Sequence, residues 1–529
     1  MDGSPAVLVV GAGPVGLTAA HELLRRDIEV RVIDRADGPA VTSRATATHA
    51  RALEVYHQMG LLDEVLERGQ RVDGFTVHRL GRALTRLGTN FSALPTRFPF
   101  TLQVDQVITE EILRARLAKS GVEVEWGVAL EDLSGHADRA DVRLRHADGT
   151  AEELSVPWLI GADGAHSVVR DRLGLRLAGE SSETWLIADA IVDADLPRDS
   201  LHWMHTGQGT IMLVPFPAPG KWRLLDTVDV DGADDPDAIA ARFAAKITAG
   251  LGKPATVRTP SWVSVFTIRQ RMVERMRVGR CFVAGDAAHV HSPASGQGMN
   301  TGVQDAHNLA WKLADVIRGH ADEALLDSYS AERVPIGEAL LGSTKTATRL
   351  VALREAAVSA LLPVGTTLLN GLGGVKRRVE GKVQKVMSGL ALNYVDSQLT
   401  VPSGAPGAIA PGDRVGCDGE TERTSAGWRA MCAEFTDPRW TLLACAEDEL
   451  LETVGRGYGQ AVSVRSVSAL GDRGPGALAD PGGTLRAELG LQDGQYALIR
   501  PDGYLAAKGP LGELTATLGR LHLIDRAVA

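Results

Sequence analysis

The sequence predicts an α/β protein organised on parallel strands, and three glycine-rich segments spread along the chain are the reason. They are Val7-Leu8-Val9-Val10-Gly11-Ala12-Gly13-Pro14-Val15-Gly16, Gly161-Ala162-Asp163-Gly164-Ala165-His166-Ser167 and Gly285-Asp286-Ala287-Ala288-His289. One such turn alone says only that something bearing phosphate binds. Three, in this order, read as one extended dinucleotide gripped along its whole length.

The first segment has the fullest physical reading. An apolar run, Ala6 to Val10, reads as a buried parallel strand, and a helical pattern follows from Val15 to Arg26. Gly11 allows the tight turn, Gly13 removes a side chain where a pyrophosphate approaches, and Gly16 lets helix and strand pack closely. Pro14 and Val15 open the helix, whose N-terminus offers free N–H groups and partial positive charge to phosphate. A second strand, Glu29 to Ile33, ends at Asp34, where a carboxylate accepts hydrogen bonds from an adenosine ribose. That acid repels a 2′-phosphate, so the turn suits FAD or NAD; with three fingerprints in place, FAD is expected.

On these residues the chain resembles the class A flavoprotein monooxygenases, the group of para-hydroxybenzoate hydroxylase and phenol hydroxylase. Within that group it is most similar to the actinobacterial enzymes that tailor aromatic polyketides in antibiotic biosynthesis. The resemblance covers nearly the whole length. Pro157 to Gly164, continued by Val168-Val169-Arg170, resembles the DG motif, which implies Asp163 beside the FAD pyrophosphate. Arg280 to His289 is similar to the GD motif, which implies that Gly285 and Asp286 hold the ribityl chain. The loop Pro293-Ala294-Ser295-Gly296-Gln297-Gly298-Met299-Asn300 would run along the isoalloxazine ring, with Pro293 implied at its reactive C4a–N5 edge. Gly296 and Gly298 suit that place because backbone N–H groups must touch a flat ring, and the helix from about Thr301 adds its positive end. Arg44 matches the arginine that reaches the FAD phosphates, and Gln103 the glutamine that contacts the flavin side chain. Arg35, beside Asp34, lies either near the nicotinamide cofactor or against the adenine.

No second G-x-G-x-x-G follows a strand after residue 16, and no C-x-x-C occurs. NADPH, or NADH, is therefore expected to visit transiently. The resemblance then implies hydroxylation of a polycyclic aromatic polyketide by dioxygen through a flavin C4a-hydroperoxide. The cofactor carries the hard chemistry and the protein positions, desolvates and protects. Baeyer–Villiger or related oxidative rearrangement on the same scaffold is the alternative. For it Arg51, two helical turns after Arg44, is the candidate catalytic arginine, against a plain solvated or phosphate-facing role. A flavin oxidase or dehydrogenase, and a ligand-sequestering flavoprotein, are further readings. His49, His289 and His291 lack metal-ligand spacing and read as structural; no metal is expected.

Composition bounds the rest. The 529 residues are 44% hydrophobic and 23% charged, with net charge −10, a balance for two or three globular domains that disfavours nucleic acid. Four cysteines are too few and too scattered for a disulfide framework. Met1-Asp2-Gly3-Ser4 leads straight into the first strand, so no signal peptide is expected. The apolar stretch Ala356 to Val375 is broken by Pro363, Asn370 and glycines. A cytoplasmic monomer or homodimer is the expectation, with no membrane association. Residues 1–178 and 276–400 read as the FAD-binding domain with trailing helices. Residues 179–275 read as an antiparallel substrate-binding sheet, whose Trp185, Trp203, Met212, Phe216 and Trp222 are pocket candidates, each weighed against plain core packing. A Pro/Gly/Ser-rich linker, Val401 to Gly412, precedes 413–529, which by resemblance is a thioredoxin-like domain lacking the redox cysteines.

Overall fold

The computed structural model describes residues 5–43, 45–88, 94–227, 230, 235–291, 296–352, 381, 384, 388–445, 449–469 and 476–526. Arg44 and Pro293 lie outside the described residues.

The nucleotide unit is a six-stranded sheet in the order Arg277–Val278, Cys281–Val283, Trp158–Gly161, Val7–Val10, Val30–Asp34 and Val124–Trp126. Every pairing is parallel except the Arg277–Val278 edge. Its strands read Val-Leu-Val-Val and Cys-Phe-Val with every residue buried, because helices cover both faces of a parallel sheet. The helix Pro14–Leu24 packs against the helices Gly298–Ile317 and Gln106–Lys119.

The second sheet is wider than expected. Its main path runs His289–Val290, Trp262–Met272, Ala178–Asp193, Lys221–Asp226, Gly209–Pro215, Ser200–Thr206, Gly74–Arg79, Arg82–Gly88. The last two strands come from the segment assigned to the nucleotide unit, and Gly74–Arg79 pairs in parallel with Ser200–Thr206. Strand pairing over this distance follows from tertiary contact, which period-2 patterning cannot foresee. The helix Pro236–Leu251, capped at its start by Asp235 and at its end by Gly252 in the left-handed region, covers one face.

The trailing helices are separate elements: a 3₁₀ turn, Glu323–Leu326, divides Gly298–Ile317 from Asp327–Ala352. The C-terminal unit is a five-stranded sheet in the order Ala477–Ala479, Val462–Ser468, Trp440–Ala444, Gln495–Ile499, Leu505–Pro510. The first three are parallel and the last two antiparallel. The expected linker is laid on this sheet: Val401 N donates to Ala506 O at 2.8 Å, and Gly412 N to Leu505 O at 2.7 Å.

The turn Pro501-Asp502-Gly503 drives the two units together. Arg500, fully buried, donates to Glu332 (2.6 and 2.9 Å) and to Asp502 (2.9 and 2.6 Å). Lys312 Nζ reaches Glu332 at 2.7 Å, while Asn308 and Trp311 donate to Asp502 at 3.1 and 3.3 Å. Burial pulls the Lys312 ammonium down to about 8 against the pull of Glu332. Removing one partner of a buried ion pair leaves the other charge uncompensated. Arg500→Met is expected to lower unfolding stability by about 3 to 5 kcal/mol, read as a lowered urea midpoint; a shift under about 1 kcal/mol contradicts this assignment.

Candidate active site

The three glycine-rich segments meet because their strands are neighbours. Val7–Val10, Trp158–Gly161 and Cys281–Val283 lie side by side in parallel, so Gly11, Asp163 and Gly285 all emerge at the carboxyl edge of the sheet. That edge is where ligands bind in open α/β sheets. Gly11 has φ +107°, and a Cβ there would lie 2.4 Å from Ala162 O; a Cβ on Gly16 would lie 1.9 Å from Gly11 O. A Cβ on Gly13 meets nothing within 4 Å. Gly11 and Gly16 thus serve the chain's own packing, whereas the space at Gly13 serves something else. Pro14 stands at the helix start, with Val15 wedged against Gly285 and Gly302.

The flanking residues divide into those spent on the protein and those left over. Asp34 accepts from Ala12 N at 2.7 Å and Ala36 N at 2.9 Å, bracing the turn, and Arg35 is exposed. Asp163 accepts from Ser167 Oγ and from the Val168 and Val169 N–H groups, so its carboxylate shapes the start of the Val168–Arg172 helix. Burial raises the Asp163 carboxyl, opposed by those bonds. Asp286 stands exposed in the Gly285–Ala287 3₁₀ turn. Asn300 is used as a staple: its Nδ2 donates to Ala47 O and Gly296 O, and its Oδ1 accepts from His49 N, each at 2.8 Å. It follows Gly298 and Met299, the first residues of that helix. Gln103 differs. Its side chain is 1% exposed, yet neither amide atom has a hydrogen-bond partner. An unpaired buried amide is costly, so a bound group must complete it. The open cradle at Gly13 and the unmatched Gln103 amide fit an extended dinucleotide.

The second sheet sorts its side chains by face. Trp185, Ile187, Met212, Val214 and Leu225 form one apolar cluster, with Trp203 and Phe266 packed against it. Arg223 shares this face, pairs with Asp189 at 2.8 and 2.9 Å, and donates to the Ser43 carbonyl of the nucleotide unit. This face therefore turns toward the crevice. Trp222, expected in the pocket, is corrected: alternation along Lys221–Asp226 puts it on the opposite face with Leu224 and Phe243. Phe216 lies in neither cluster, with the Lys221 and Arg223 cations 4.3 and 5.3 Å from its ring centre. Sequence reading missed Arg223, whose signal was a cation alternating with the apolar residues of a buried strand. It also missed the cavity of about 190 Å³ lined by His49, Gln297, Asn300, Gln304, Ile336 and Leu340.

Arg51 receives a different role from the one expected. It is buried, donates to Glu54 Oε2 at 3.0 Å and Asp502 O at 2.6 Å, and lies 5.0 Å from the Tyr504 ring centre. Its guanidinium joins the nucleotide unit to the C-terminal unit, because the helix Ala50–Gln58 presents that side to the Pro501-Asp502-Gly503 turn. Behind the crevice, Asp305 accepts from Gly285 N (3.1 Å) and Arg333 Nε (2.7 Å) and bonds His289 Nε2 (2.5 Å). Burial opposes its ionisation, but Arg333 and His289 outweigh it and hold the carboxyl down to about 2. Among the described residues no cluster of three or more His, Cys, Asp or Glu is arranged for a metal, and no helix is long and apolar enough to cross a membrane.

Residues 5–344 match the family model described as FAD binding domain. The chain is 56% identical to 6-methylpretetramide 4-monooxygenase of Streptomyces rimosus, over 99% of this chain and 95% of that one. It is 39% identical to pentachlorophenol 4-monooxygenase of Sphingobium chlorophenolicum, over 64% of this chain and 63% of that one. Among solved structures, the anhydrotetracycline hydroxylase OxyS of Streptomyces rimosus superposes with a TM-score of 0.77 at 27% identity, covering 98% of this chain and 99% of that one.

Three outcomes follow from this geometry. Gly13→Val is expected to fold with a near-native melting temperature but to purify with at least about 10-fold less FAD, because the added branch occupies ligand space alone. Gly16→Ala is expected to lower the melting temperature itself. The flavin-to-protein absorbance ratio beside a melting curve separates the two. Asp305, ionised in the fold to lower pH than its ordinary 3.8, contributes stability above about pH 4 that is lost as pH falls toward 2. Between pH 6 and pH 3 the wild type is expected to lose about 1 kcal/mol more than Asp305→Asn, read from urea midpoints; equal losses refute it.

Proposed function

Because the chain belongs to the FAD-binding-domain family of monooxygenases, we propose that it hydroxylates a polycyclic aromatic polyketide, with FAD bound, NADPH as visiting reductant and dioxygen as oxygen source. The observation that carries this reading is 56% identity over 99% of the chain to an enzyme whose name specifies 6-methylpretetramide. The apolar face carrying Trp185, Trp203, Phe266 and Met212 supports it, since flat, electron-rich rings stack on such surfaces. NADH in place of NADPH is compatible with the same site.

When bound, FAD supplies electron transfer and dioxygen activation. The chain's share is binding, orientation and exclusion of water. The Gly11–Gly16 turn and the positive end of Pro14–Leu24 receive the pyrophosphate, and Gln103 completes its amide on the flavin side chain. We assign Arg44 to the phosphates, Asp163 to shaping the turn beside them, Asp286 to the ribityl chain, and Pro293 to the ring edge. Arg223 holds the substrate sheet against the segment entering Arg44, fixing the height of the aromatic roof. The C-terminal sheet is taken as thioredoxin-like, with a packing role in place of a redox one.

The test is NADPH and oxygen consumption by the FAD-loaded protein with and without 6-methylpretetramide, using oxygen-18 and product NMR. Consumption stimulated about 10-fold or more, with label in a new aromatic hydroxyl, is expected. Label in a ring-expanded ester, or peroxide as the sole oxygen product, overturns the proposal.

A further inference from the structure

Beside the crevice, the cavity of about 190 Å³ has no part in the site assigned above. Two helices supply its facing walls. Gln297, Asn300, Thr301 and Gln304, spaced i, i+3, i+4 and i+7, share one face at the start of Gly298–Ile317. Opposite them, Ile336, Ala339 and Leu340 share one face of Asp327–Ala352. Gly302 lies on the other side of the first helix, where a Cβ would meet Val15 and Gly285. The cavity therefore stands behind that helix as seen from the glycine turns. Gly389 closes one end: its φ is +73°, and a Cβ there would lie 3.1 Å from Arg51 Cβ.

The polar side chains of the wall are turned largely to the protein. Asn300 is the staple described above, Gln304 Nε2 donates to Asn300 O at 3.1 Å, and His49 Nδ1 lies 3.2 Å from Thr101 Oγ1. What faces the space is mostly carbon. Pockets for drug-sized ligands measure about 300 to 1,000 Å³, so a polycyclic substrate does not fit. An apolar cavity of about 150 Å³ takes a single benzene or xenon. The guest that suits this one is small, uncharged and without hydrogen bonds.

The two sides of the cavity face different places. Toward the crevice, His49 Nε2 lies 3.6 Å from where a Cβ on Gly296 would stand, and Gln297 follows Gly296 in the chain. Gly296 belongs to the loop that carries Pro293, assigned above to the flavin ring edge. Away from the crevice, Ala339 is exposed and gives the cavity an edge on solvent. A monooxygenase consumes one co-substrate of this chemical class, dioxygen. We propose that the cavity is a dioxygen-binding site, filled from solvent past Ala339 and emptied toward the flavin past Gln297 and His49. The proposal rests on the monooxygenase reading above. Transfer of an apolar molecule from water into carbon-lined space is favourable, so the cavity raises the local concentration of dioxygen beside the loop.

The experiment has two readouts. Crystals of the FAD-loaded protein are pressurised with xenon, an apolar sphere that marks such cavities. Xenon is expected between Leu340 and Gln304, and Ala339→Phe, whose ring closes the exposed edge, is expected to lose it. Photoreduced protein is then mixed with dioxygen at several concentrations, and the return of oxidised flavin absorbance is followed. Ala339→Phe is expected to lower the second-order rate constant about 3-fold or more, with FAD content and affinity for 6-methylpretetramide unchanged. Ala52→Leu, which fills the cavity from the helix Ala50–Gln58, is expected to slow the same step. A wild-type crystal without xenon in the cavity overturns the proposal whatever the variants do. Xenon excluded by either variant with the rate constant unchanged also overturns it. Weaker 6-methylpretetramide binding at an unchanged rate constant assigns the cavity to the substrate and overturns it too. Reduced wild-type flavin that does not react with dioxygen overturns the monooxygenase reading, and this proposal with it.

Discussion

Asp305 is the point through which the rest of the structure is braced. One carboxylate, fully buried, takes the N–H of Gly285, the ring of His289 and the guanidinium of Arg333. Through the first it sets the third glycine turn; through the last it joins the helices Gly298–Ile317 and Asp327–Ala352. Arg333 passes the connection to the Tyr394 hydroxyl at 3.1 Å, and Asn308 carries it on to Asp502. A buried charge persists only where every lone pair is matched. The cofactor turn and the C-terminal hairpin are thereby held by one continuous polar network.

That network explains why the C-terminal unit packs as it does without redox cysteines. Arg500 and Asp502 are inserted from the hairpin into the helical layer, where Arg500 joins Lys312 in pairing with Glu332. Arg51 adds a second connection from the helix Ala50–Gln58. Its position near the nucleotide crevice and its contacts toward the C-terminal unit make it a joint between the two. The second sheet is tied to the nucleotide unit separately, by Arg223 spanning from Asp189 to Ser43.

Much of this was legible in the residues. The turns at Gly11 and Gly285, the strands at Val7–Val10 and Trp440–Ala444, and the hairpin around Pro501-Asp502-Gly503 depend on local chemistry: apolar runs, glycine at forced φ, and turn residues. The Pro236–Leu251 helix was missed, inside a segment read only as sheet, although its Asp cap and terminal glycine stand in the sequence. Side-chain direction was less legible. Trp222 and Trp185 look alike as aromatic strand residues, and only the register Ala190 opposite Trp222 and Ile187 opposite Leu225 places them on different faces. Histidines 289 and 291 read as bland because their partner, Asp305, lies in another element.

By itself, then, the sequence determined the parallel nucleotide unit, the FAD fingerprints and the presence of a β-rich segment between the second and third of them. These follow from period, glycine placement and strand-to-helix turns, which act over a few residues. Tertiary structure decided which distant strands joined that sheet, as Gly74–Arg79 did beside Ser200–Thr206. It decided where Arg51 points, and which buried groups are matched or left open. Those outcomes depend on pairing between residues separated by up to 451 positions, as between Arg51 and Asp502, where the cost of an unpaired buried charge selects the arrangement and no local pattern records it.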